Sequence, residues 1–343
     1  MKTTLRADLH VHTYASRQSG TLPFLGSRDC YSSPEDVYRV ARARGMDLVC
    51  ITDHDSIDGA LELLARRPGA TDVIVGEEIS CVLPDGNVEA HIAAYEMTEA
   101  LHRDVQHLRG NVFDVTGRLR QAGVFFALNH PLHFYRHQLP LERYLRLLHE
   151  VPAVEVRNGT MLAAHNRMFE TLAAWWPTPT GLPLCPIGGS DAHTLRRVGT
   201  TWTEAPGATR GEFMANLKSG RATVGGSDGG VRAVAGDAYG VVGRYVASLA
   251  GLRPCDLRAA HRAACLAFSA VSLPAQFMPV VVSAARKSAE RRTVERVAAE
   301  LANISSQAPS LESRAPSPES RAPSPESRVP IPAPRSPGVE LVP

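Results

Sequence analysis

The chain has 343 residues, enough for one large domain or two smaller ones with a substantial core. Apolar residues make up 44% of it and the formal net charge is +2, which is typical of a globular protein and gives no support for a surface that coats nucleic acid or is steered to membranes. The six cysteines form no C-x-x-C pair, and the N-terminus has no apolar signal segment, so we expect free thiols and a cytoplasmic protein.

Up to about residue 230, strand-like and helix-like segments alternate. Leu5–His12 opens as a strand, and Ser33-Pro34-Glu35-Asp36 predicts a helix start because a serine cap precedes a proline and two acids. Short apolar runs then recur at 47–52, 72–79, 91–95, 124–128, 153–156 and 184–187. Helical segments lie between most of these runs, which predicts an α/β fold with a parallel sheet, either a barrel or doubly wound.

The pattern changes beyond Gly230. Residues 238–304 look helical, and we treat 231–306 as a helical region of unknown role. The stretch 263–285 has no charged residue and is long enough to span a bilayer, but two prolines interrupt it, so a buried hairpin or an interface helix is favoured over membrane contact. Residues 307–343 repeat E-S-R-x-P-x-P three times, and this Pro/Ser-rich tail is predicted to be disordered.

Six groups of metal-ligand residue types accompany the apolar runs. His10 and His12 end the first strand, where residues two apart point to the same face. Each group alone could be a helix cap, a surface acid, a core histidine or a turn, but the carboxyl ends of barrel strands meet at one mouth, so together they predict a metal site. The other five groups are Asp53-His54-Asp55, Glu77-Glu78, His91, His130 and Asp191-Ala192-His193.

The composition of these groups restricts the metal. Imidazoles with carboxylates that can bridge suit Mn²⁺, Fe²⁺ or Zn²⁺ better than Ca²⁺ or Mg²⁺. The number of donors exceeds what one ion needs, so we expect two or three divalent ions.

In order, the segments D-L-H-V-H, T-D-H-D, G-E-E-I-S, A-H-I, N-H-P and G-S-D-A-H resemble the PHP (polymerase and histidinol phosphatase) superfamily over about residues 5–225. The resemblance implies a distorted TIM-like (β/α)7 barrel over residues 1–230, a metal cluster at its C-terminal mouth, and phosphoester hydrolysis. It implies a first ion on His10, His12, Glu78 and Asp191, a second on Glu78, His91 and His130, and a third on His54 and His193. Glu78 is preferred to Glu77 because Ile-Ser follows it.

The chain departs from the family pattern at one position. The family has a further ligand of the third ion seven or eight residues after the first histidine, where this chain has Arg17 and Gln18. Asp29 is the nearest following carboxylate, far along the loop. We therefore expect two ions and leave the third open. Arg17 either takes the place of the third cation and pairs with a substrate phosphate, or it points to solvent.

The expected reaction is hydrolysis of a phosphomonoester or phosphodiester by a hydroxide that bridges two metals. His54, Asp191 or His193 would protonate the leaving oxygen, and Asp53 and Asp55 would orient ligand imidazoles. Further substrate contacts are expected from Arg157 with Asn158, and from His133, Arg136 and His137.

The substrate class follows only coarsely from the sequence. Near-neutral charge favours a small phosphorylated molecule, a nucleotide or a short oligonucleotide and gives no support for stable binding of duplex nucleic acid. One alternative is a metallohydrolase of the amidohydrolase type that breaks a C–N or C–O bond. That class normally bridges its metals with a lysine, and neither Lys2 nor Lys218 stands at a suitable strand end. The other alternative is a non-catalytic metal-binding interaction module.

Overall fold

The computed structural model describes residues 3–17, 25–135, 139–176, 183–255, 257–272 and 277–307. Residues 1–301 belong to one compact unit, and from residue 302 the structure describes only the end of the last helix. The strands are β1 Thr4–Asp8, β2 Leu48–Ile51, β3 Val73–Leu83, β4 Val88–Tyr95, β5 Phe126–Leu128, β6 Ala153–Asn158, β7 Cys185–Gly189, β8 Thr201–Pro206 and β9 Thr223–Gly226. The helices are α1 Pro34–Ala43, α2 Asp58–Arg66, α3 Glu99–Leu108, α4 Val112–Ala122, α5 Leu141–Leu145, α6 Leu147–Glu150, α7 Ala163–Trp175, α8 Arg210–Lys218, α9 Val231–Leu249, α10 Ala259–Val271 and α11 Met278–Gln307.

The nine described strands form one sheet in the order β7-β6-β5-β4-β3-β2-β1-β8-β9. Its β7 edge curls back to β1 and β8. Val11, just after β1, forms a parallel bridge with Ala192, just after β7, and Thr203 of β8 accepts a hydrogen bond from the Gly188 amide at 2.8 Å. Strands β1 to β7 thus curl into a nearly closed barrel, which confirms the predicted distorted (β/α)7 architecture.

The barrel interior is filled by alternate residues of its strands, as the two-residue period of a strand requires. Ala7, Cys50, Tyr95, Phe125 and Ile187 all belong to this interior cluster and are at most 2% exposed. Burying a large apolar side chain of this kind contributes about 1.5–3 kcal/mol. Because the interior is packed solid, the polar side chains gather above it, at the mouth.

The strand direction departs from the prediction of a parallel sheet. Strand β4 runs antiparallel to both β3 and β5, since β3 and β4 form a hairpin rather than a βα unit. The turn between them contains Gly86 and Asn87 with φ of 92° and 52°, which is turn chemistry. Strands β8 and β9, also antiparallel, were not predicted. The seven predicted strands are all present, and α1 begins as predicted, with Ser33 capping the Asp36 amide.

The helices α9 to α11 occupy the region predicted to be helical and pack against the barrel. Val297 of α11 is fully buried in the same cluster as helices α3 to α7, whereas Val271 of α10 is 81% exposed. The charge-free stretch is divided between α10 and α11. No helix in the described ranges has the length and apolarity needed to cross a membrane. The tail from residue 308 lies outside the described residues.

Candidate metal centre

Glu78 lies at the centre of the mouth. It stands in the middle of β3, is fully buried, and meets five imidazoles. A carboxylate with imidazoles around both oxygens has the contacts of a ligand that bridges metal ions. The distances are 3.0 Å from Oε1 to His91 Nδ1, 3.0 Å from Oε1 to His130 Nε2, 3.1 Å from Oε2 to His10 Nε2, 3.2 Å from Oε2 to His54 Nδ1 and 3.3 Å from Oε2 to His12 Nε2.

The neighbouring Glu77 points to the opposite face of β3, because successive strand residues alternate. Its Oε1 accepts from Gln106 at 2.7 Å and lies 2.9 Å from His102 Nδ1, both on α3. Glu77 therefore belongs to the packing of a helix, and Glu78 to the mouth.

All eight predicted ligands come together at the mouth, with one addition. Four overlapping groups each have their donor atoms within 4.8 Å of one another. Glu78 and His91 are inside their strands rather than at strand ends, because the β3–β4 hairpin extends across the mouth. The groups are His10-Glu78-His130, His10-His12-Asp191, His54-Glu78-His91 and His12-Asp29-His54-His193.

The fourth group bears on the two alternatives left open for Arg17. Asp29 Oδ2 lies 3.5 Å from His193 Nε2 and 3.9 Å from His54 Nε2, so the distant loop folds back and brings a carboxylate to the third position. Arg17 points away from the mouth. Its side chain is 56% exposed and pairs with Asp58 at 3.3 Å. Of the two alternatives left open for Arg17, the structure thus has the one in which its side chain faces solvent, and the longer loop offers Asp29 at the third group.

The carboxylates make the mouth favourable for positive charge. Burial opposes charging His91 and His193, but Glu78 beside the first, and Asp29 and Asp191 beside the second, raise the pKa of each to about 9. Burial would also raise the pKa of Glu78, but the surrounding histidines hold it well below its usual range. Divalent cations balance the negative charge of these carboxylates more fully than protons do.

Several nitrogen and oxygen atoms at the mouth have close polar neighbours but no contact with hydrogen-bond geometry within the described part of the chain. They are almost fully buried, and a buried polar atom without a partner costs about 1–3 kcal/mol. These buried imidazole nitrogens and carboxylate oxygens without hydrogen bonds therefore fit the binding of divalent cations. These atoms are His12 Nε2, both Asp29 carboxylate oxygens, His54 Nδ1, Glu78 Oε2 and His130 Nδ1.

A second layer of buried acids holds the ligands, and the sequence prediction missed its main members. Glu155 in β6 lies 2.9 Å from His10 Nδ1 and accepts from the His130 amide at 2.7 Å. Asp8 accepts from the Ser190 amide at 2.8 Å and so ties the end of β1 to the loop that follows β7. A carboxylate inside an apolar strand is the signal that would have identified Glu155.

The backbone is strained where two of the ligands stand. Asp191 has a φ of 52° and His130 a φ of 25°, and residues other than glycine rarely adopt such positive values. The amide of Asp191 donates to the His10 carbonyl at 2.8 Å, and Glu155 receives the amide of His130. Such strain persists only where the surroundings fix it, and it clusters at functional sites.

Asp53 and Asp55, both predicted to orient ligand imidazoles, differ in their contacts. Asp53 accepts from Ser16 Oγ at 3.2 Å, and Ser16 Oγ lies 3.3 Å from His12 Nδ1, so Asp53 acts on an imidazole through one hydroxyl. Asp55 contacts no ligand imidazole. It accepts from the Ser80 amide and pairs with Arg109.

The residues predicted to contact the substrate also differ in whether they lie at the mouth. Arg157 is wrong as a contact at the mouth, because its guanidinium turns to the outer face and binds Glu170 of α7 at 2.6 Å. Its neighbour Asn158 turns inward and reaches Asp191 Oδ2 at 3.4 Å. His133 is exposed, and its ring centroid lies 5.1 Å from that of His130. Arg136 and His137 lie outside the described residues.

Comparisons with known proteins agree with this site. Residues 180–222, which include Asp191 and His193, match the family model described as PHP-associated. Over 78 residues the chain is 35% identical to the uncharacterized protein MJ1587 of Methanocaldococcus jannaschii. The matched stretch covers 22% of this chain and 44%, less than half, of that protein.

Two solved structures resemble the chain at the level of backbone superposition. One is a candidate metal-dependent phosphoesterase from Bifidobacterium adolescentis, with a TM-score of 0.42, 17% identity, and 62% of this chain and 93% of that one covered. The other is an amidohydrolase from Chromobacterium violaceum, with a TM-score of 0.43, 17% identity, and coverage of 64% and 97%.

Proposed function

We propose that the chain is a metal-dependent phosphoesterase of the PHP type that acts on a small molecule, a nucleotide or a short oligonucleotide; its clustered ligand groups and the match of residues 180–222 to a PHP-associated family model support this proposal. The observation that carries the proposal is the contact of Glu78 with five imidazoles. One carboxylate shared in this way supports two or three adjacent cations, and adjacent cations suit the transfer of a charged phosphoryl group.

The described side chains offer ligands for three cations. His10, Glu78 and His130 would hold one cation, His54 and His91 would share Glu78 around another, and Asp29 would complete a third with His12 and His193. When bound, such cations supply Lewis acidity, which makes a water nucleophilic near neutral pH and neutralises phosphate oxygens. Glu155 holds the His10 imidazole in one orientation.

Proton transfer to the leaving oxygen needs a group on the open side of the mouth, where a substrate can reach it. His54 is nearly fully buried and sits deep in the cluster, whereas the His193 side chain is 24% exposed. The exposed His133 belongs to no ligand group and lies beside His130. His133 is thus the imidazole placed to pass a proton at the mouth when all three cations are bound, and His193 could do so only while the third cation is absent.

The alternative of a lysine-bridged amidohydrolase gains no support from the described lysines. Lys218 on α8 donates to the Gly123 carbonyl at 2.7 Å, and Lys287 on α11 donates to the Thr160 carbonyl at 2.5 Å. Neither ammonium contacts a member of the ligand groups.

The test is a substrate panel with the full chain loaded with Mn²⁺ or Zn²⁺. We expect release of p-nitrophenol from p-nitrophenyl phosphate or its bis ester, or of phosphate from nucleotides, and loss of that activity with a chelator. Hydrolysis of amide or lactone substrates without any phosphoester turnover would refute the phosphoesterase assignment while leaving the metal centre intact.

A further inference from the structure

Asp29 differs from the other ligands in how it is held. His10, His12, Glu78 and His91 lie inside strands or directly after them, where the sheet fixes the backbone. Asp29 belongs to the segment between β1 and α1, and the described residues of that segment form no strand. Its position must therefore come from contacts made by its neighbours in the loop.

On the C-terminal side, the loop is tied to the ligand strand itself. The Cys30 thiol is fully buried and donates to the His12 carbonyl at 3.3 Å. The Tyr14 amide donates to the Ser32 carbonyl at 2.9 Å. These contacts fix the chain just after Asp29.

On the N-terminal side, the loop is tied to the C-terminal helices. The Tyr245 hydroxyl of α9 donates to the Leu25 carbonyl at 2.7 Å, and the Cys265 thiol of α10 approaches the same carbonyl at 3.6 Å. Leu25 and Tyr31, on either side of Asp29, pack against an apolar cluster that we call the loop anchor: Tyr245, Leu249, Cys255, Leu257 and Cys265.

Gly26 shows how closely the loop and the anchor fit. Its φ is 61°, in the left-handed region, and a Cβ built on it would lie 2.6 Å from Leu257 Cδ2. A side chain at this position would strain the left-handed backbone and clash with Leu257, so the contact between the loop and the anchor would have to change.

Helix α9 also contacts the other loop of the third ligand group. Asp237 of α9 accepts from Thr194 Oγ1 at 2.8 Å, directly after the ligand His193, and its carboxylate lies 3.5 Å from Arg197 Nε. One helix thus holds the loop of Asp29 and the loop of His193 together.

We propose that α9 and α10 position Asp29 for a third cation, so that the helical region completes a metal site begun by the barrel. The proposal rests on the metal centre proposed above. It makes Tyr245 and Gly26 positioning residues, since neither reaches the ligand groups.

The experiment measures Zn²⁺ bound per chain, and its affinity, by equilibrium dialysis and metal analysis of full-length variants. Tyr245→Phe removes only the hydroxyl that holds Leu25, and Gly26→Ala pushes the loop from Leu257. Gly69→Ala is the matched control, because Gly69 has a φ of 80° and no atom within 4 Å of the added Cβ. Asp29→Asn serves as the benchmark for loss of the third ion.

We expect three ions in the wild type and two in Asp29→Asn. Gly26→Ala and Tyr245→Phe should weaken the third ion by about 10- to 100-fold, as loss of a contact that supports a ligand does, and leave the other two unchanged. Gly69→Ala should bind all three ions like the wild type. In the Asp29→Asn background Tyr245→Phe should have no further effect, because the two act through the same site.

The two proposals fail in different ways. A wild type that binds no ion overturns the metal centre and the positioning role together. Two ions in both the wild type and Asp29→Asn overturn the positioning role alone, as does an unchanged third-ion affinity in Tyr245→Phe. The control guards against a general loss of stability, since an equal loss of ions in Gly69→Ala would also count against positioning.

Discussion

The ligands on strands and the ligand on the loop are held by different means. His10, Glu78 and His91 are fixed by sheet hydrogen bonds and by a solid apolar interior beneath them. Asp29 reaches the same mouth through a loop fixed at one end by Cys30 and at the other by Tyr245, more than two hundred residues later in the chain. The barrel thus determines most of the site, whereas its last ligand depends on a region outside the barrel.

The largest effect should come from Glu78, the strand ligand that two of the proposed ions share. Glu78→Gln removes the charge that five imidazoles surround, so phosphoester turnover should fall by about 10³-fold or more, beyond the 10- to 100-fold typical of losing an outer contact. Steady-state kinetics with saturating Mn²⁺ measure this. Glu77→Gln is the control, since Glu77 faces α3, and comparable losses in both variants would contradict a special role for Glu78.

The next largest effect is expected for the loop ligand Asp29. Its comparison is Arg17, which stands at the sequence spacing where the family pattern has the third-site ligand. Asp29→Asn should lower turnover by about 10- to 100-fold and remove one ion, because His12, His54 and His193 then lack their carboxylate. Arg17→Gln should change neither quantity, since Arg17 pairs with Asp58 in solvent. The opposite ranking would restore Arg17 as the residue of the third position.

Support for a strand ligand should matter less than the ligand itself. Glu155→Gln weakens the orientation of His10 and of the His130 backbone, and we expect about tenfold weaker metal binding with stoichiometry unchanged. Calorimetric titration with Mn²⁺ would show it. Loss of a whole ion in this variant would mean that Glu155 is itself a ligand.

The smallest effect is expected outside the mouth. Arg157→Ala breaks the pair with Glu170 and should cost about 1 kcal/mol of unfolding free energy or less, with unchanged KM and kcat. Urea unfolding and kinetics on the same preparation check both. A raised KM would reinstate Arg157 as a substrate contact.

The sequence revealed the strand ligands because each accompanies an apolar run. The barrel and the eight predicted ligands follow from that local coincidence of pattern and residue type. The reversed direction of β4 was not readable, since periodicity does not record which way a strand runs. Asp29 was not readable either, because a fixed spacing cannot anticipate a longer loop or the helices that hold it.

The most direct test of the account is the metal content of the dialysed full-length protein by mass spectrometry, with Glu78→Gln beside it. We predict three divalent ions per wild-type chain and the loss of at least two in the variant, since Glu78 contacts ligands of more than one group. A wild type with less than one ion per chain, or a variant with the full number, would contradict a metal centre built around Glu78.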